Sequence, residues 1–266
     1  MTSRKAACHV LCGTGRVRYH RGMTPFRTSI LAAGLALAAT SAQAQPQPQP
    51  QTVPDTMAQR TAACIGCHGE QGRAASDGYY PRIAGKPAGY LYNQLINFRE
   101  GRRSYPMMVY MVSHLSDDYL QAMAEHFASL HPPYPPPQPL QASAAQLARG
   151  RQLALDGDRK ADVPACVACH GTALTGMAPA IPGLLGLPRD YLSGQFGAWK
   201  NGTRHAARPD CMATLATRLS VEDISAVSAW LSQQPVPANA TAVSDTAATL
   251  PLDCGSVAQA RKAGRP

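Results

Sequence analysis

Apolar residues recur at helical spacing along most of the chain, and no stretch alternates regularly enough to predict a strand. The clearest case is residues 116–130, where Leu120, Met123, Ala124 and Phe127 fall on one face behind a serine cap followed by acids. Residues 220–231 have the same form. Residues 87–100 and 188–200 read as helices with proline in the first turn and Gly101 or Gly202 at the end. Two further segments, 55–63 and 143–155, have Asp55 and Ser143 as their expected N-caps. The pattern predicts an all-α protein.

The helices are bounded by segments of different composition. Residues 30–40 (ILAAGLALAAT) form an apolar run preceded by Arg27 and followed by Ala42-Gln43-Ala44, the order of a secretory signal with its cleavage site. The run is shorter than the ~20 apolar residues of a membrane span. An uncleaved anchor that would hold the chain at a membrane surface is the alternative. Met23 is the expected start of translation, because signal peptides begin close to their apolar run. Residues 1–44 are therefore read as a leader and 45–54 as a Pro/Gln tether. Two folded units are expected at 55–131 and 142–232, joined by a proline-rich linker at 132–141 and followed by a tail at 233–266. The leader holds six of the 25 basic residues and no acid, which leaves 19 bases against 16 acids in the remainder. The basic pI thus belongs mostly to the leader, and nucleic-acid binding is not supported.

The two units are repeats. Tyr90, Leu91 and Gln94 recur as Tyr191, Leu192 and Gln195, and Phe98-Arg99-x-Gly101-x-Arg103 recurs as Trp199-Lys200-x-Gly202-x-Arg204, all offset by 101. Leu115-Ser116 recurs as Leu219-Ser220 at 104. Nearly constant offsets over several anchors mark a duplicated unit. Each copy also carries a Cys-x-x-Cys-His stretch: Cys64, Cys67 and His68 in the first, Cys166, Cys169 and His170 in the second. That spacing is the attachment signal of a c-type haem, with a thioether from each cysteine and the histidine as an axial ligand of the iron. Two covalently bound haem c groups are expected, and at the centre of units this small they would supply much of the core.

An electron carrier fills the other axial position, commonly with methionine. Between its haem histidine and its last helix the second copy offers only Met177, in a loop seven residues after His170, and Met212, seven before Leu219. The first copy offers Met107, Met108 and Met111. The repeat selects Met108, seven before Leu115. The expected pairs are His68/Met108 and His170/Met212, with core packing for the other methionines. His114, His126, His131 and His205 lack counterparts in the other copy; His205 remains a distant alternative ligand.

In this order of features each copy resembles a class I cytochrome c domain, and the tandem resembles the dihaem cytochromes c of the cytochrome c4 type. The residues that carry the resemblance are CIGCH and CVACH, then Pro81-Arg82-Ile83-Ala84-Gly85, Tyr90, Gln94, Phe98, Gly101, Arg103, Met108 and residues 115–118 in the first copy. In the second they are Pro179-Ala180-Ile181-Pro182-Gly183, Met212 and Leu219-Ser220. The resemblance covers roughly residues 55–231. It implies that Pro81 and Pro179 present a backbone carbonyl to the proximal histidine's Nδ1–H. It also implies delivery of electrons from a quinol-oxidising complex towards a terminal oxidase, without a small-molecule substrate. A cytochrome subunit of a periplasmic dehydrogenase is the alternative, and a dihaem peroxidase or thiosulfate-oxidising enzyme a more distant one.

Apart from Cys8 and Cys12 in the expected leader, Cys211 and Cys254 remain. Haem attachment and disulfides both belong to an oxidising compartment outside the cytoplasm, expected to be the periplasm, where two leftover thiols pair. A Cys211–Cys254 bond would tie the tail beside Met212.

Overall fold

The repeat is visible as one helix order used twice. The computed structural model describes residues 53–75, 78–244 and 249–262; the expected leader and most of the tether lie outside them. The first half runs α1 (Met57–His68), α2 (Ala88–Arg99), α3 (Pro106–Val112) and α4 (Asp117–Ser129). The second runs α5 (Ala144–Leu155), α6 (Val167–His170), α7 (Arg189–Lys200), α8 (Cys211–Arg218) and α9 (Val221–Ser232), with α10 (Gly255–Lys262) in the tail. No helix among the described residues is long and apolar enough to cross a membrane.

Local chemistry starts these helices. The hydroxyls of Ser116, Ser143 and Ser220 accept from the backbone N–H of Tyr119, Gln146 and Asp223, which satisfies donors that the first turn leaves unpaired. At α1 the cap is Thr56 rather than the expected Asp55. The Asp55 carboxylate is taken by the guanidinium of Arg60, at 2.7 Å, and leaves the cap to its neighbour. Two short helices carry the methionines and were not anticipated: α3 starts on Pro106, whose missing N–H costs nothing there, and α8 starts behind Asp210.

Each half buries its own apolar cluster. Leu91, Tyr92, Ile96, Phe98, Val112, Leu120, Met123, Ala124 and Phe127 form the first. The second gathers Leu153, Leu192, Phe196, Leu215, Leu219, Ile224, Val227 and Leu231 with their neighbours. The predicted face of α4 is buried in full. In the second half α5 crosses α9 so closely that a Cβ on Gly150 would stand 2.1 Å from the Ala226 carbonyl oxygen.

The expectation of no strands is corrected in the second half. There β1 (Gly176–Ala178) pairs antiparallel with β2 (Ile181–Pro182), Met177 opposite Ile181, and β3 (Val243–Ser244) from the tail pairs parallel with β1, Met177 opposite Val243. Strands of two or three residues are too short for alternation to register in sequence. Met177 and Ile181 pack with Val257 of α10, so the tail closes over this hairpin. The tail also reaches the first half, where Asn93 Nδ2 of α2 donates to the Ser256 carbonyl at 3.0 Å.

The halves meet through their repeated residues. Arg103 and Arg204 form an antiparallel bridge, flanked by Ser104 N–H to Thr203 O at 2.7 Å and His205 N–H to Arg102 O at 2.6 Å. Arg103 donates to Gln94 and Gln195, and Arg204 donates to the same two glutamines. Each guanidinium lies over the aromatic ring of its own copy, Arg103 over Phe98 at 4.7 Å and Arg204 over Trp199 at 3.9 Å. The proline linker is fastened by Arg82, which donates to the carbonyls of Pro132 and Pro133 and stacks 3.7 Å over Tyr134.

Candidate functional site

In the first half a single helix delivers the attachment stretch, since Cys64, Cys67 and His68 occupy the last two turns of α1. His68 is only 8% exposed and its Nδ1–H donates to the Pro81 carbonyl at 2.8 Å. That carbonyl is held in place because the N–H groups of Ile83 and Ala84 both donate to Gly72 O. Gly72 has a left-handed backbone, and a Cβ on it would strike Ile83 and Phe127.

In the second half Cys166 precedes the short α6, which carries Cys169 and His170. His170 is equally buried, and its Nδ1–H donates to a carbonyl at 2.7 Å. That carbonyl belongs to Pro182 of β2. The role expected of Pro179 is therefore corrected: Pro179 sits in the turn between β1 and β2, and the hairpin brings Pro182 under the imidazole. Spacing could have found this, because Pro182 follows His170 at a distance close to that of Pro81 from His68, and Pro179 falls short.

Both imidazoles are held below the usual histidine range, chiefly by burial, with Arg103 adding to the effect at His68 and Lys86 at His170. Both are neutral at pH 7. With Nδ1–H committed to a carbonyl, Nε2 is left with its lone pair, the state a metal requires. Burial also raises the thiols of Cys64 and Cys169 and pushes that of Cys166 up to about 12.

One cavity of about 840 Å³ reaches both attachment stretches. Its lining includes Cys64, Cys67, His68 and Met108 from the first half, and Cys166, Cys169, His170 and Met212 from the second. Met107, Met111, Met123 and His205 line it too, whereas Met177 is packed away under the tail. Cys211 and Cys254 are bonded, with Cα atoms 5.1 Å apart, which anchors the tail next to Met212. Among the described residues no cluster of three His, Cys, Asp or Glu could hold a bare metal ion.

The cavity fits a large apolar macrocycle with acidic edges. Arg82, Lys86, Arg103 and Arg204 all line it, the first, second and fourth buried and Arg103 half-buried, yet among the described residues none has a carboxylate within ion-pairing distance. Buried cations without counter-charge are costly, and carboxylates entering with a ligand relieve that cost. Trp199, also in the lining, keeps Nε1–H buried without a partner among the described residues, a donor such a carboxylate could use. Haem c brings two propionates per group. Of these residues Arg103, Arg204 and Trp199 were singled out in sequence as repeat anchors and Arg82 as part of the resemblance, whereas Lys86 was not.

No family model matches the chain. The chain is similar to a thiosulfate dehydrogenase electron acceptor of Thiomonas intermedia, 38% identical over 66% of this chain and 80% of that protein. Cytochrome c4 of Pseudomonas aeruginosa is 31% identical over 65% of this chain and 84% of its own length. A solved structure of thiosulfate dehydrogenase from Marichromatium purpuratum superposes with a TM-score of 0.59 at 33% identity, covering 68% of this chain and 40% of that one. The repeated helix order and paired Cys-x-x-Cys-His stretches agree with these likenesses: the chain belongs to the dihaem cytochrome c4-type family of electron carriers that includes the thiosulfate dehydrogenase electron acceptors.

Proposed function

We propose that this chain is a periplasmic electron acceptor for a thiosulfate-oxidising dehydrogenase, holding two haem c groups and passing single electrons onward, towards a terminal oxidase. Cys64 and Cys67 would hold one haem with His68 and Met108 on its iron; Cys166 and Cys169 would hold the other with His170 and Met212. The bound haems supply the reversible one-electron chemistry. The chain's own part is to fix the imidazoles through Pro81 O and Pro182 O, to offer two thioethers, and to keep water from the cavity.

The observation that carries this reading is the matched pair of methionines. Met108 on α3 and Met212 on α8 stand at equivalent places in the repeat, and each lines the cavity that also contains its half's histidine. A full ligand set at both sites is what a carrier needs, whereas a peroxidase needs an open position. The partner is suggested by the Thiomonas relative, named as an acceptor for thiosulfate dehydrogenase, and by the likeness to the Marichromatium enzyme.

The test is optical and redox titration of the mature protein, followed by mixing with thiosulfate and a thiosulfate dehydrogenase. Two covalently held low-spin haems, a methionine–iron charge-transfer band and enzyme-dependent reduction are expected. A high-spin haem, or ready binding of carbon monoxide, would overturn the carrier reading. Normal haems with no reduction by that enzyme would overturn the partner.

A further inference from the structure

Lys86 belongs to the first half yet is buried against the second, with 6% of its surface exposed. Its Nζ donates to the Gly183 carbonyl at 2.8 Å. Gly183 follows Pro182, whose own carbonyl receives the Nδ1–H of His170. A charged side chain from one half thus touches the loop that orients the proximal histidine of the other. Burial lowers the Lys86 ammonium to about 8, with nearby Arg82 adding to the shift, so it still carries its proton at pH 7.

The repeat makes this arrangement one-sided. Gly85-Lys86-Pro87 recurs as Gly186-Leu187-Pro188, so the equivalent position in the second half is a buried leucine. Pro188 still reaches across to Gly78 of the first half, but its neighbour brings no charge. We propose that Lys86 raises the reduction potential of the second haem site across the domain boundary, by placing a buried positive charge of the first half beside the His170 loop; the buried cation beside the His68 loop, Arg82, comes from that loop itself. The inference rests on the two-haem reading above. An electron arriving at the second iron lowers the net positive charge beside a fixed cation, so reduction there is favoured, and the low dielectric of the site prevents water from screening it away. Loss of that charge therefore moves electrons shared between the sites towards the first one.

The test is a redox titration of full-length protein in which the two sites are followed separately, through paramagnetically shifted methionine methyl resonances assigned to Met108 and Met212 by substitution. Lys86→Met and Lys86→Gln should both shift the electron distribution roughly tenfold towards the first site, ~59 mV for a one-electron couple, with the smaller change at the first site. Lys86→Arg should restore the original order. Lys86→Met also strips Gly183 O of its donor, and Lys86→Gln separates that loss from the loss of charge. An unchanged second potential in Lys86→Met overturns the inference. So does an unchanged potential in Lys86→Gln alone, because glutamine keeps a donor for Gly183 O without the charge. Failure to find two covalent haems in the unsubstituted protein would instead overturn the functional reading itself.

Discussion

The first half reaches its histidine along one continuous helix, while the second divides the same task. α1 carries its apolar face and Cys64, Cys67 and His68 without interruption, whereas α5 stops at Leu155 and a separate α6 presents His170. Freed from the attachment stretch, α5 can lie flush against α9, with Gly150 at the crossing and Arg149 bonded to Asp223 of α9. The second half then adds the β1–β2 hairpin, the tail strand and the disulfide around the same site. What stays alike is the ring of residues facing the cavity and the partner half; what differs is the packing outside it. A duplicated unit can vary its scaffold as long as the group at its centre meets the same side chains.

The largest break in that likeness should come from the methionines. Met108→Ala should abolish the low-spin signature of the first site and leave the second intact, and Met212→Ala the reverse. Each potential should fall by a sizeable part of the ~0.8 V that axial ligands span. Site-resolved titration checks this, and a ligand change at the untouched site would refute the pairing.

Tail anchoring comes next. Cys254→Ser should cost the second half up to ~4 kcal/mol by the chain-entropy account of a 43-residue loop. Hydrogen exchange should rise in α10 and β3, with the first site unaffected.

The helix crossing separates the halves more finely. Gly150→Ala must push α5 from α9, since the added carbon meets backbone, and should destabilise the second half by ~1–3 kcal/mol in denaturant unfolding. Gly66→Ala in α1 meets nothing within 4 Å among the described residues and should stabilise by ~0.5–1 kcal/mol instead. A loss at Gly66 would mean that α1 is packed as tightly as α5.

The smallest effect concerns acid. Arg149 holds the Asp158 carboxyl below its ordinary range, helped by the N–H groups of Ala161 and Lys160. A carboxylate depressed in the folded state adds stability above its unfolded value near 3.8 and loses it as pH falls through the folded value. Arg149→Ala should therefore flatten the acid limb of the second half's stability profile below about pH 4. An unchanged limb would assign that slope to other groups.

Much of this organisation is legible in the amino-acid order because its causes are local. Serine caps, proline at first turns, the Cys-x-x-Cys-His spacing and the offset of 101 act over a few residues or repeat themselves, and they place α2, α4, α5, α7 and α9. The repeat alone favours Met108 over Met107 and Met111, all three of which line the cavity. Even a local reading fails where two groups compete, as when Arg60 draws Asp55 away from the cap that Thr56 supplies.

The sequence by itself determined two attachment stretches, two matched methionines, a mostly helical repeat and the cysteine pair left to bond. Only the tertiary structure decided that Arg103 and Arg204 face each other across the boundary and that Lys86 is buried in the half to which it does not belong. Those outcomes depend on which surfaces meet and which charges lose water there, and neither propensity nor spacing along the chain encodes that. The sequence already sets the second site apart through Cys211 beside Met212, and the long-range contacts around the pair widen that difference.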